Sequence, residues 1–273
     1  MPPHPTAPVY LTIAGSDCPA GAGLQADLKA GFALGCYPLT AVTCVVSEVP
    51  GKVEGIVALD AAFIAAQVRL CMESFPVRAA KCGMLYAPDI VRAIAQELAG
   101  RNIPLAIDPV MIATAGDALM LQEAVAVYEE CLFPITTLLT PNCDELSSLL
   151  GGVSIRHADE LEAAALELAA RARCAVLAKG GHLGGDICTD IFVPVPVSGH
   201  SAPHPRRWEH PRTPNVSTHG TGCTLSSAIT AGLAQGLPLE GAIEQGLAYT
   251  ARAIAATLQL GGMEALDHHA LRG

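Results

Sequence analysis

This chain is short of several things at once, and each shortage narrows what it can be. Aromatic residues make up 4% and charged residues 15% of its 273 positions, while 51% are hydrophobic, mostly Ala, Leu and Val. Small aliphatic side chains in that proportion suit tight helix-on-sheet packing in a layered α/β protein better than an all-β sandwich. Basic residues are outnumbered, 16 against 26, for a formal net charge of −10. Without a basic surplus, wholesale binding of nucleic acid or of an anionic membrane is excluded, but small anions held by local donors and one or two cations are not. Lysine is scarce, so any lysine near a glycine-rich segment is a candidate. The opening "MPPHPTAPVY" has neither the basic start nor the apolar centre of a secretory leader. No uninterrupted apolar run is long enough to span a bilayer. The 10 cysteines include no Cys-x-x-Cys pair and no Cys/His pairing at zinc spacing. Reduced thiols in the cytoplasm, most of them small hydrophobic fillers, are the expectation.

What is present is a rhythm. Short apolar runs, 9–14, 39–46, 77–83, 104–108, 135–140 and 174–181, read as strands. Between them lie helical patterns at about 21–34 and from Asp60, an N-cap followed by Phe63, Ile64, Gln67, Val68, Cys71 and Phe75. "DIVRAIAQELAG" is a helix closed by Gly100, "ADELEAAALELAARARC" a plain amphipathic one, and two more helices close the chain at about 220–236 and 238–260. Strand–helix alternation of this kind predicts one three-layer α/β/α domain over 1–273 with a mostly parallel sheet. The Pro- and His-rich stretch 194–215, which holds the single Trp, is expected to be a surface excursion, in hairpin form, within that domain.

In parallel sheets ligands bind at the carboxyl ends of strands, so the residues just after each strand carry the chemistry. After the first comes "GSDCPAGAGLQADLK". Its Gly21, Gly23 and Ala26, with Glu48 after the next strand, form a weak dinucleotide fingerprint, but six residues intervene where the glycines should turn at once. Other readings are a plain glycine-rich loop, or a loop arched over a small substrate with Asp27 pointing into the site. "AIDPVM" ends a strand at Asp108. "LLTPNCDEL" places Asn142 and Glu145 three apart at a helix start, either as a capping box or as partners to a hydrated magnesium. Lys179, where an apolar strand meets Gly-Gly, is a solvated side chain or a phosphate clamp.

The stretch "STHGTGCTLSSAITAGLAQG" (217–236) heads a small-residue helix. Gly220, Thr221 and Gly222 lack bulk, so their backbone amides can converge on an anion at the helix N-terminus, where the dipole favours negative charge. The same position is expected to lower the thiol pKa of Cys223 and make it a proton acceptor. An inert filler is the plainer alternative. A metal ligand lacks partners at suitable spacing, and a hydrolase nucleophile lacks a paired base, since His219 reads as lying on the other side of the turn.

Taken in order, "LTIAGSDCPAGAGLQADLKAGFALG", "IDPVM", "LLTPNCDEL", "VLAKGGHL" and "THGTGCTLSSAI" resemble the hydroxymethylpyrimidine/phosphomethylpyrimidine kinases of thiamine biosynthesis, within the ribokinase-like superfamily. The resemblance spans nearly the whole chain. It implies an ATP-dependent, magnesium-requiring phosphotransferase of ribokinase-like fold, commonly a homodimer. It implies an anion hole at Gly220–Cys223 with Cys223 as base and Lys179 as clamp, and a pyrimidine pocket of Gly15, Asp27, Glu48, Met84 and Val110. It further implies nucleotide and magnesium positions at Asp108, Asn142, Glu145, Lys179 and Thr218. A Gly-Thr-Gly-Asp turn would point to sugar or pyridoxal kinases instead. One departure stands out: where the family often has the glutamine of "QNT", this chain reads "SEVPG". An ionised Glu48 accepts but cannot donate, so it opposes a ring-nitrogen lone pair unless one partner carries a proton. The expectation is that the monophosphate is the principal substrate. A pyridoxal kinase, an NAD-dependent oxidoreductase and a non-catalytic binding module are the rivals.

Overall fold

The computed structural model describes residues 6–111, 122–195, 204–213, 219–261 and 263–269. The first stretch of chain forms β1 (Val9–Asp17), α1 (Gly23–Ala33), β2 (Tyr37–Val49), β3 (Lys52–Ala58), α2 (Ala61–Ser74), β4 (Val77–Cys82) and α3 (Pro88–Leu98). There follow β5 (Leu105–Ile107), α4 (Gln122–Val127), β6 (Leu138–Leu139), α5 (Cys143–Leu149), α6 (Ala158–Ala172) and β7 (Ala175–Ala178). Then come β8 (Ile187–Val193), β9 (Arg206–Pro211), α7 (Thr221–Ala234), α8 (Leu239–Ala255) and a hairpin of β10 (Leu258–Leu260) with β11 (Met263–Ala265).

A nine-stranded sheet runs in the order β3-β2-β1-β4-β5-β6-β7-β8-β9. From β2 across to β7 the pairs are parallel, while β3, β8 and β9 join antiparallel at the edges. Strand alternation feeds two cores. Leu11, Ile13, Ala80, Cys82, Leu139 and Val176 face α2, α3, α5 and α6, whereas Tyr10, Ala79, Leu138, Ala175 and Leu177 face α7 and α8. Both sheet faces are covered, which is why the central strands read as continuous apolar runs. Each fully buried Leu or Ile contributes about 1.5–3 kcal/mol to that packing. The three-layer α/β/α expectation is therefore met.

Several details differ from the sequence reading. β3 was not foreseen, because "KVEGIVA" is largely exposed and pairs only with β2. In α2 the apolar face is narrower than the pattern suggests: Ile64 and Val68 are fully buried, but Phe63 and Phe75 are 60% and 47% exposed. Asp60 does cap α2, accepting from the amides of Ala62 and Phe63. The last helix stops at Ala255, and "LQL" instead forms β10, turning at Gly261 with φ +60° into β11. Within the 194–215 excursion β9 pairs with β8 and becomes the sheet's edge.

Candidate active site

The chain leaves β1 on one side for β2 and later returns on the other for β4, so the strand order switches direction beside β1. Crevices at such points, outside the carboxyl ends, are where α/β sheets hold ligands. A cavity of about 440 Å³ opens there and extends past β7.

One end is built on lysine and carboxylates. Asp108 follows β5, Asn142 and Glu145 follow β6, and Lys179 follows β7, all lining the cavity. Lys179 Nζ donates to Asp108 Oδ1 at 2.7 Å and lies 3.8 Å from Glu145 Oε2. Asp108 also accepts from Thr140 Oγ1 at 3.2 Å and from Ser226 Oγ at 3.4 Å. Burial alone would push the Asp108 carboxyl up, but Lys179 and Lys81 hold it below its ordinary value. Glu145 goes the other way. Burial pushes it up to about 7, aided by the charge of Asp108 and only partly opposed by Lys179. Asn142 and Glu145 do form the capping box, Glu145 Oε2 accepting from the Asn142 amide at 2.7 Å and Asn142 Oδ1 from the Glu145 amide at 2.9 Å. The box aims the Glu145 carboxylate at the cavity rather than removing it.

Above this end sits the start of α7. Gly220 has φ +81°, and a Cβ there would lie 1.9 Å from the Gly21 carbonyl oxygen, so only glycine fits. A Cβ on Gly222 would stand 3.1 Å from Lys179 Nζ and 3.3 Å from Asp108 Oδ2. The turn is therefore laid directly over the ion pair. The N-cap residue of α7, Gly220, brings no side chain of its own, and Gly220, Thr221, Gly222 and Cys223 all line the cavity. The amides at a helix start, facing a lysine, make a site for a multiply charged anion.

Cys223 corrects one expectation. Its thiol is not lowered by the helix start: burial pushes it up to about 12, and Asp27 and Asp108 add to that. Lys81 and a hydrogen bond involving the Gly23 backbone oppose the rise without overcoming it. Desolvation of a would-be thiolate outweighs the dipole.

The other end is mostly apolar. Val46, Met84 and Val110 line it, with Cys44 and Tyr86 packed against them. Gly15 belongs to the wall, where a Cβ would press to 2.8 Å from Cys44 Sγ. Glu48 reaches this end from β2. Burial and the charge of Asp17 raise its pKa, while His219 lowers it.

Asp27 is not part of that wall. Its carboxylate is fully buried beneath the cavity, accepting from Lys81 Nζ at 2.5 Å, Thr12 Oγ1 at 2.5 Å and Ser227 Oγ at 2.6 Å. On the first turns of α1 it faces α7 and β4 instead of the ligand space. Thr218 lies outside the described residues. His219 is not turned away: it lines the cavity, 3.3 Å from Asp17 Oδ2. Gly21, Gly23 and Ala26 do not form a dinucleotide turn either. β1 runs on to Asp17, and Gly23 packs against the Gly15 carbonyl.

Three residues at the site have no place in the sequence reading of it: Asp17 and His219, which line the cavity, and Lys81, buried beside it. Lys81 had a signal, since "VRAAKC" alternates and puts a lysine on the same face as Ala79, against α7. Asp17 had none, because a strand over 9–14 leaves it in the following loop.

The fold and this site together are those of a small-molecule kinase. An ADP complex of Bacillus subtilis pyridoxal kinase superposes with a TM-score of 0.86 at 31% identity, over 98% of this chain and 99% of that one. A phosphomethylpyrimidine kinase from Clostridium difficile superposes with a TM-score of 0.76 at 33% identity, over 90% and 99%. A hydroxymethylpyrimidine/phosphomethylpyrimidine kinase of Streptomyces coelicolor is 39% identical over 97% of this chain and 96% of its own length. The family model for phosphomethylpyrimidine kinase matches residues 17–267, and the chain belongs to that family.

Proposed function

We propose that this protein transfers the γ-phosphoryl group of ATP to 4-amino-5-hydroxymethyl-2-methylpyrimidine phosphate, forming the diphosphate used in thiamine synthesis, and handles the free alcohol less well. The observation that carries this reading is the bulk-free turn at 220–222 laid over the Lys179–Asp108 pair and open to the cavity. Amides and Lys179 would neutralise charge on the transferring group, and the Val46–Met84–Val110 end would seat the ring. The bond to the β-phosphate breaks as the acceptor oxygen bonds to phosphorus.

The state of Cys223 favours the phosphate acceptor. A base works best with a pKa near the working pH, and a thiol held at about 12 is almost wholly protonated there. Phosphorylating an alcohol needs its proton removed. A monophosphate, with a second pKa of about 6, arrives already ionised. Cys223 then serves the alcohol step only, as a scarce base.

Asp108 and Glu145 suit magnesium, which is usually bound through one or two carboxylates plus substrate phosphates rather than a full protein cage. Their shared reliance on Lys179 and the upward push on Glu145 show negative charge in excess at this end. There magnesium would supply further neutralisation of the phosphates. Asn142 would orient the nucleotide beside them.

We also infer a cytoplasmic homodimer. All 10 cysteines are free, and no helix among the described residues is long and apolar enough to cross a membrane. Val45 and Val57 pair across β2 and β3, yet are 48% and 67% exposed, an apolar edge that a second copy would cover. Analytical ultracentrifugation of the wild type and Val57→Lys checks this.

The test of activity is ADP formation with the alcohol, its phosphate and pyridoxal in parallel. The phosphate should lead in kcat/KM. Equal values for alcohol and phosphate would remove the claim of preference. Turnover of pyridoxal ahead of both would favour the second reading, for which the Bacillus subtilis superposition speaks. No ADP with any acceptor would end the kinase reading.

A further inference from the structure

Lys81 is a lysine with no access to solvent, on β4, one of the inner parallel strands of the sheet. Burying an ion pair seldom stabilises a fold more than apolar residues of the same size would, so its placement needs another reason. Its Nζ donates to Asp27 Oδ1 at 2.5 Å and to the Cys223 carbonyl at 3.4 Å. Asp27 is in turn fixed by Thr12 and Ser227, the latter on α7 itself. The ammonium thus lies against the start of α7, outside the lining of the cavity, and is tied to the residue that ends that turn.

We propose that Lys81 is a positioning residue of the site: it holds the Cys223 carbonyl, and its charge, tempered by Asp27, stands permanently under the Cys223 thiol and Asp108. The charged groups around that thiol are Lys81, Asp27, Asp108 and Lys179. Of these, Lys81 favours the thiolate while Asp27 and Asp108 oppose it. When Lys179 is drawn toward phosphate, Lys81 remains as the cation beside Asp108. Two variants should consequently push the thiol in opposite directions, which a merely structural pair would not do.

The experiment is alkylation of Cys223 by iodoacetamide in the protein without ATP or acceptor, followed on its peptide by mass spectrometry from pH 7 to 9.5. Lys81→Met should slow it by about tenfold, as a one-unit rise in thiol pKa does. Asp27→Asn, which keeps a side-chain oxygen for Ser227 and turns an amide N–H toward the Thr12 hydroxyl, should speed it by about threefold or more, as half a unit does. Removing both charges in Lys81→Met/Asp27→Asn leaves the lysine's loss dominant, and alkylation stays slower than wild type. Shifts of the same sign, or none, would overturn the proposal. If Lys81→Met does not fold, Asp27→Asn alone decides, since an unchanged or slower rate there refutes it. The inference rests on the kinase reading only for its bearing on turnover. Failure of alkylation to respond therefore leaves that reading standing, and absence of ADP formation leaves this one standing.

Discussion

The two ends of the cavity are built on different principles. At the Lys179 end, Asp108 and Glu145 are buried, each is hydrogen-bonded, and all hang from short parallel strands in the middle of the sheet. At the other end Glu48 sits where β2 has run past its parallel neighbour and pairs only with the exposed β3. Rigid, paired charge suits chemistry that must be the same for every acceptor, because preorganised groups need no rearrangement as charge develops. A half-buried carboxyl on an edge hairpin suits selection among acceptors. If that division is right, variants at the first end should harm all acceptors alike, and variants at the second should change their ratio.

The largest effect should come from Lys179→Met. We expect kcat/KM to fall about 10²–10³-fold with both alcohol and monophosphate, the cost of removing one transition-state donor. ADP release under initial-rate conditions measures it. A loss confined to one acceptor would break the comparison. Next comes Cys223→Ala, at the turn above the Lys179 end, the one position there that acts only on an acceptor with a proton to lose. Alcohol phosphorylation should drop by about 10²-fold, at the low side for a general base because the thiolate is scarce, while the monophosphate loses less than about threefold. Equal losses would make the thiol a spacer. Smaller still is Glu48→Gln. Restoring an amide donor should raise kcat/KM for the alcohol by about tenfold, roughly one hydrogen bond, and leave the KM for ATP unchanged. A changed KM for ATP would show that the two ends are not separate.

The same contrast explains what could be read from the sequence. At the Lys179 end each residue directly follows an apolar strand, so Asp108, Asn142, Glu145 and Lys179 announced their positions through period and proline placement. Gly220–Cys223 did so through lack of bulk. The apolar end depends on how far β1 and β2 extend, and polar residues at strand ends carry no period. Asp17 was lost for that reason. Asp27 was misplaced because its direction depends on the angle at which α1 packs on α7, which no local pattern records. Cys223 was read as acidic from its helix start alone. Burial, a tertiary quantity, decided the matter the other way.

The Asp17–His219 contact gives the gentlest test, because it ties the end of β1 to the anion-binding turn and its charge is adjustable. Burial alone would raise Asp17, but the hydrogen bond and charge of His219, with the Ala22 amide, bring it below its ordinary value. The Asp17 hydrogen bond raises His219 in spite of burial. A depressed carboxyl stabilises above its unfolded pKa and loses that contribution as pH falls through the lower folded value. A raised imidazole stabilises below its unfolded pKa and loses it as pH climbs through the higher folded value. The pair's contribution is therefore complete between about pH 4 and pH 6.5, the unfolded values, and fades above that window. Urea unfolding of wild type and His219→Gln should differ by about 1 kcal/mol at pH 5.5 and by clearly less at pH 8.5. Lys179 and Asp108 are shifted away from that range in opposite directions, so their own pairing should hold steady across it. A His219→Gln difference that does not change with pH would mean that the contact is a neutral hydrogen bond. In that case the turn would be held to β1 by geometry alone, and the cavity's two ends would differ less in their electrostatics than their burial suggests.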